Sequence, residues 1–131
     1  MNQENKSTKA KVDFANQMQD RTKRLAVEVI KFSRTIKNDY VTYIIKQQMI
    51  RSATSVASNY RAVCRSRSNN EFFSKLSIVV EEIDETNLWL EVIKEAEIEV
   101  TEEINHLIKE SKEITAILAT SRSTFGDRYQ N

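Results

Sequence analysis

Proline is absent from this 131-residue chain, glycine occurs once, at Gly126, and cysteine once, at Cys64. Each shortage removes a class of molecule. Sandwiches, barrels and doubly wound sheets turn on Gly and Pro, so their near absence points to an all-α fold. A glycine-rich phosphate loop is excluded on the same ground. One cysteine permits no intramolecular disulfide and suits a reducing compartment. No apolar run approaches the ~20 residues of a membrane-spanning helix, and the polar segment Met1 to Lys11 lacks the apolar core of a signal peptide. A cytoplasmic protein without membrane contact is therefore expected.

What is present is charge, at 30% of residues, and a 40% hydrophobic fraction, enough for one domain whose core hides ~70% of the unfolded surface without metal or disulfide. Residues 1–12 carry no apolar period and are expected to form a disordered arm. Phe14, Met18, Leu25, Val29, Phe32 and Ile36 then recur at helical spacing, as do Ile45, Met49, Ser52, Val56, Tyr60 and Val63 after a break at Asn38-Asp39. Ser68 and Glu71 form a capping-box pattern ahead of the third stripe, Phe72, Leu76, Val79, Val80, Ile83, Asn87 and Leu90. Thr101-Glu102-Glu103 caps a fourth, with Ile104, Leu107, Ser111, Ile114 and Leu118. The spacing predicts an antiparallel up-down-up-down four-helix bundle over residues 13–120, followed by a loosely ordered tail over 121–131.

The net charge of +1 conceals a strong sorting of charge. Residues 40–70 contain no carboxylate and include Arg51, Arg61, Arg65 and Arg67, whereas residues 71–100 include Glu81, Glu82, Asp84, Glu85 and Glu91. A near-neutral molecule is thus expected to have a polarised surface.

The second helix also carries a signature. Arg51-Ser52-Ala53-Thr54-Ser55-Val56, followed by Asn59-Tyr60-Arg61-Ala62-Val63-Cys64-Arg65-Ser66-Arg67-Ser68, closely resembles the four-helix bundle proteins named after the intervening sequences of bacterial 23S ribosomal RNA. Val80-Glu81-Glu82-Ile83-Asp84-Glu85 with Trp89-Leu90-Glu91 resembles the acidic helix of that family. Where many members carry Glu-Gly, this chain has Ala62-Val63, similar to a branch reading Asn-Tyr-Arg-Ala. The resemblance implies a ring-shaped homopentamer and kinship with accessory proteins of diversity-generating reverse transcriptases. It implies no reaction and no cofactor.

Several constellations carry chemistry worth weighing. Gln48, Arg51, Ser55 and Asn59 form a polar stripe beside the apolar one, expected to bond across helices or subunits with Glu81, Glu82 or Glu85, because an unpaired buried Arg costs several kcal/mol. The same stripe is open to reading as the lining of a groove. Arg61, Arg65 and Arg67 beside Tyr60 suit phosphate contact with base stacking, and equally suit a solvated helix end where the dipole favours cations. Lys6, Lys9 and Lys11 are further candidate phosphate contacts. Glu103-Ile104-Asn105-His106 is formally Glu-x-x-His, but a di-metal bundle needs that motif on two helices and the chain holds one His. Cys64 and His106 are the only thiol and imidazole, with no third group to orient them, and Cys64 reads as a small buried hydrophobe. Trp89 reads as a core or interface anchor.

Helix three shows Phe72, Phe73, Val79 and Val80 on adjoining faces, wider than one bundle core needs, so a second copy is expected to cover the surplus. The expected function is non-enzymatic: an oligomer that binds RNA or DNA through Tyr60, Arg61, Arg65 and Arg67. The alternative is a scaffold for a partner protein, for example a reverse transcriptase, with no nucleic-acid contact.

Overall fold

The computed structural model describes residues 3–129. Four helices, α1 (Gln3–Ser33), α2 (Tyr40–Val63), α3 (Asn69–Glu95) and α4 (Glu102–Tyr129), are joined by the short links 34–39, 64–68 and 96–101, with no strand among the described residues. Each helix packs on its neighbours in sequence, and α1 meets α4 over the least extensive seam. Contacts between the helices show the antiparallel register directly. Arg21 of α1 reaches Glu110 at 2.5 Å and Glu113 at 2.7 Å, while Glu28, two turns later, lies opposite the earlier His106 of α4. In the α3/α4 pair Glu91 faces Lys112 and Ser77 faces Arg122.

The predicted stripes form the core. Leu25, Val29, Met49, Val56, Leu76, Ile83, Leu90, Ile104, Leu107, Ile114 and Leu118 are all buried. Polar residues that share those stripes cross-link the helices. The Ser52 and Thr86 hydroxyls meet at 3.0 Å between α2 and α3. Asn87 accepts from the Ser111 hydroxyl and donates to Thr115 at 2.7 Å between α3 and α4. Among the described residues every buried side-chain polar atom has a partner, so these groups fix register without an orphaned donor.

Helix starts follow local chemistry. Asp39 accepts from the Thr42 N–H at 2.9 Å while Thr42 accepts from the Asp39 N–H at 2.8 Å, a closed capping box ahead of α2. Ser68 caps α3 through the Glu71 N–H at 3.1 Å, but the Glu71 carboxylate turns to Lys75 at 2.9 Å and leaves that box half made. At the far end of α3, Glu97 takes φ 57 so that Ile98 can return its N–H to Ile93 at 3.0 Å and pack on the core. A left-handed residue with a Cβ is strained, so Glu97→Gly is expected to raise stability by about 0.5–1 kcal/mol in urea unfolding. An unchanged or lowered midpoint would contradict that reading.

Both ends depart from expectation. The arm is helical from Gln3, because Gln, Glu, Lys and Ala propagate a helix even where their side chains stay exposed, as they do over residues 5–12. The lack of an apolar period fixed exposure there, not conformation. Met1 and Asn2 lie outside the described residues. The tail is helical to Tyr129 because Phe125 packs on Phe72, ring centroids 4.7 Å apart, and on Phe73 at 6.1 Å. Gly126 sits where a Cβ would stand 3.2 Å from the Phe73 ring, so the one glycine serves close approach and not a chain break. Phe72 and Phe73, expected to help form a face for a second copy, are thereby half-buried within the chain, and Val79 is buried in the bundle.

The Arg21 cluster is the main charge link between α1 and α4. Hydrogen bonding from Arg21, ahead of opposing desolvation, holds the Glu110 carboxyl below its ordinary range. A carboxyl depressed in the folded state contributes stability above its unfolded value and loses it as pH falls through the folded one. Arg21→Gln is therefore expected to lower the unfolding free energy at pH 7, by no more than about 1 kcal/mol given the solvent access of the pair. The difference should shrink as acid protonates Glu110, and an effect constant from pH 7 to below Glu110 titration would contradict it.

Candidate nucleic-acid interface

The antiparallel order gathers the start of α1, the end of α2, the start of α3 and the end of α4 at one end of the bundle. Arg61, in the last turn of α2, and Arg65 and Arg67, in the link that follows, are exposed there. None of the three guanidinium groups joins an ion pair among the described residues. Lys6, Lys9 and Lys11 are exposed on the first turns of α1 at the same end. The nearby Glu71 is engaged by Lys75 and by the backbone N–H of Arg67, which hold its carboxyl below the ordinary range.

Tyr60 contributes almost no exposed area at this end. Its side chain is 4% exposed and sits in the core with Val56 and Val63, so it is not available to stack on a base. Burial, reinforced by the Cys64 sulfur, pushes its phenol above the usual value. The position was legible in advance: Tyr60 falls on the apolar stripe of α2. Burial likewise pushes the half-buried Cys64 thiol up, partly offset by the Tyr60 hydroxyl and Gln19. His106 lies at the opposite end, 3.5 Å from Glu28, so thiol and imidazole are not brought together. Among the described residues no three potential metal ligands converge.

Between the four helix ends lies an open groove of about 880 Å³, which sequence reasoning missed. Phe14, Tyr60, Phe72 and Phe125 line it with Cys64, and Lys11 and Arg67 stand on the same lining. The only linear signal was Phe14, just after the arm read as disordered, and Phe125, inside the tail read as loosely ordered.

The polar stripe of α2 is a separate structure. Arg51 bonds Gln48 at 3.3 Å, Glu82 at 3.3 Å and Glu85, which also accepts from Trp89 at 3.2 Å. The guanidinium is half exposed rather than buried, so this network needs less compensation than the sequence implied. Asn59 donates to Ser55 at 2.8 Å, one turn apart. Glu81 takes no part: it lies with Asp84 and Lys112 on a shallow groove between α3 and α4. Glu82 and Glu85 are thus engaged by Arg51, while Arg61, Arg65 and Arg67 stay exposed, with Arg67 acting at longer range on Glu71.

Residues 15–120 match the 23S rRNA-intervening sequence protein family. The chain belongs to that family. In three dimensions it is similar to a protein of unknown function from the S23 ribosomal protein family of Bacteroides thetaiotaomicron, with a TM-score of 0.74 and 27% identity over 80% of this chain and 97% of that one. No curated protein matches. The family match spans all four helices and contains Arg61, Arg65 and Arg67, whereas Lys6, Lys9, Lys11 and Phe125 lie outside it. No helix among the described residues is long and apolar enough to cross a membrane.

Proposed function

We propose that this protein is a non-enzymatic, oligomeric nucleic-acid-binding or accessory protein, whose basic bundle end contacts phosphates through Arg61, Arg65 and Arg67, with Lys6, Lys9 and Lys11 extending the surface. The observation that carries the reading is the absence of ion-pair partners for the three guanidinium groups in a chain with 19 acidic residues. A partner-protein scaffold built on charge pairing between α2 and α3 has less support, because Glu82 and Glu85 are satisfied by Arg51.

Assembly into a ring of several copies, five by family likeness, repeats the patch and multiplies its phosphate contacts. Tyr40, Val41, Tyr43 and Ile44, exposed together at the start of α2, supply apolar surface that favours self-association. Sedimentation equilibrium at micromolar concentration should return a multiple of 15.2 kDa, and a monomer mass would remove the ring. Affinity for mixed-sequence RNA or single-stranded DNA should fall about 20-fold per engaged copy between 50 and 200 mM salt, from ~0.7 counterions released at each of three contacts. Undetectable binding at low salt, in a correctly assembled oligomer, would defeat the nucleic-acid reading and favour the scaffold.

A further inference from the structure

The groove at the basic end joins two chemistries. Its aromatic lining comes from all four helices, Phe14, Tyr60, Phe72 and Phe125, with Phe14 still 40% exposed and in no ring pair among the described residues. Phe72 and Phe125 are packed together, ring centroids 4.7 Å apart, and the small residues Ala10, Ala15, Ser66 and Thr124 leave the space beside that pair open. Arg67 lines the groove and also belongs to the unpaired basic set, so a phosphate held there stands beside the aromatic recess.

We propose that this groove accepts unpaired bases of a single strand whose phosphates lie on Arg61, Arg65 and Arg67, which makes the ligand single-stranded rather than duplex nucleic acid. The inference rests on the nucleic-acid reading and names the ligand class of the same site. Stacked duplex bases present only their edges in the grooves, whereas an unstacked base offers its whole face to an aromatic wall. Positive charge at the mouth complements the phosphates, and the apolar interior complements the base. Phe14 is the most exposed ring of the lining and the one that stacks, while the Phe72–Phe125 pair and the nearly buried Tyr60 form the wall behind it.

The test compares an oligothymidylate of about 12 nucleotides with an abasic oligomer of equal length, using the assembled protein at low salt. The base-bearing strand is expected to bind at least about tenfold tighter, and tighter than a duplex of the same length. Phe14→Ala, and independently Thr124→Trp to fill the groove from an exposed position, should bring the two oligomers to within about threefold while leaving the abasic affinity and the salt slope unchanged. Cys64, the only thiol and part of the lining, reports occupancy: the base-bearing strand should slow its alkylation and the abasic strand should not. Equal affinities of the two oligomers for the wild-type protein, or duplex binding as tight as single-strand binding, would overturn the groove assignment while leaving phosphate binding intact. Failure of both oligomers to bind would overturn the parent reading as well.

Discussion

Replacing Arg61, Arg65 and Arg67 together by Gln is expected to lower affinity for single-stranded nucleic acid by on the order of 10²–10³ at 50 mM salt, if one copy supplies all three contacts. The logarithmic salt slope should become shallower by about 2 for each engaged copy. Because none of these side chains forms an ion pair among the described residues, and only Arg67 acts on a carboxylate, that of Glu71, at longer range, the triple change removes no close internal link, and exposed substitutions of this kind shift stability by about 0.5 kcal/mol or less. Circular dichroism and sedimentation should therefore match the wild-type protein. Arg51→Gln is the converse control. It breaks the contacts to Glu82 and Glu85 across α2 and α3 and should leave the salt slope unchanged. A triple variant that loses oligomer mass, or an Arg51 variant that loses binding, would place the functional charge in the inter-helix network instead.

The largest stability effect is expected from Ile83→Ala. Ile83 is fully buried in the middle of α3, where the core residues of its neighbours surround it. Removing three carbons there gives up their transfer energy and leaves a cavity that rigid helices fill poorly, a loss of about 2–5 kcal/mol. For a chain of this length that corresponds to a melting temperature lower by about 8–20 °C. Leu88→Ala, on the same helix but 51% exposed, should change monomer stability far less. Equal effects at the two positions would contradict the burial pattern.

The helix count was legible because each stripe ends in a polar break, at Asn38-Asp39, at Ser68 to Glu71 and at Thr101, and polar caps and the hydrophobic period are both local signals. The partnership of Arg51 with acids of α3 was legible too, although the expected cause, a buried guanidinium needing a partner, does not hold for a side chain that is half exposed. Terminal helicity was misread because an absent apolar period reports exposure rather than conformation; residues 5–12 are helical and exposed at once. Phe125 was missed as a packing residue because its partners, Phe72 and Phe73, are some fifty residues away in sequence. The same distance hid the groove, which exists only where four helix ends meet. Asn87, Ser111 and Ser52 were visible as polar residues on apolar stripes, yet only the antiparallel register shows that they bond one another or Thr86.

The central claim is a location: nucleic acid contacts the end of the bundle where α2 finishes and α3 begins. Photocrosslinking of a single strand containing 4-thiothymidine to the assembled protein, followed by mapping of the modified peptides, tests it directly. The account predicts crosslinks in the start of α1, in residues 61–72 and in the last turns of α4. Crosslinks concentrated at the opposite end, on the α3–α4 link or around Tyr40 to Ile44, would contradict it.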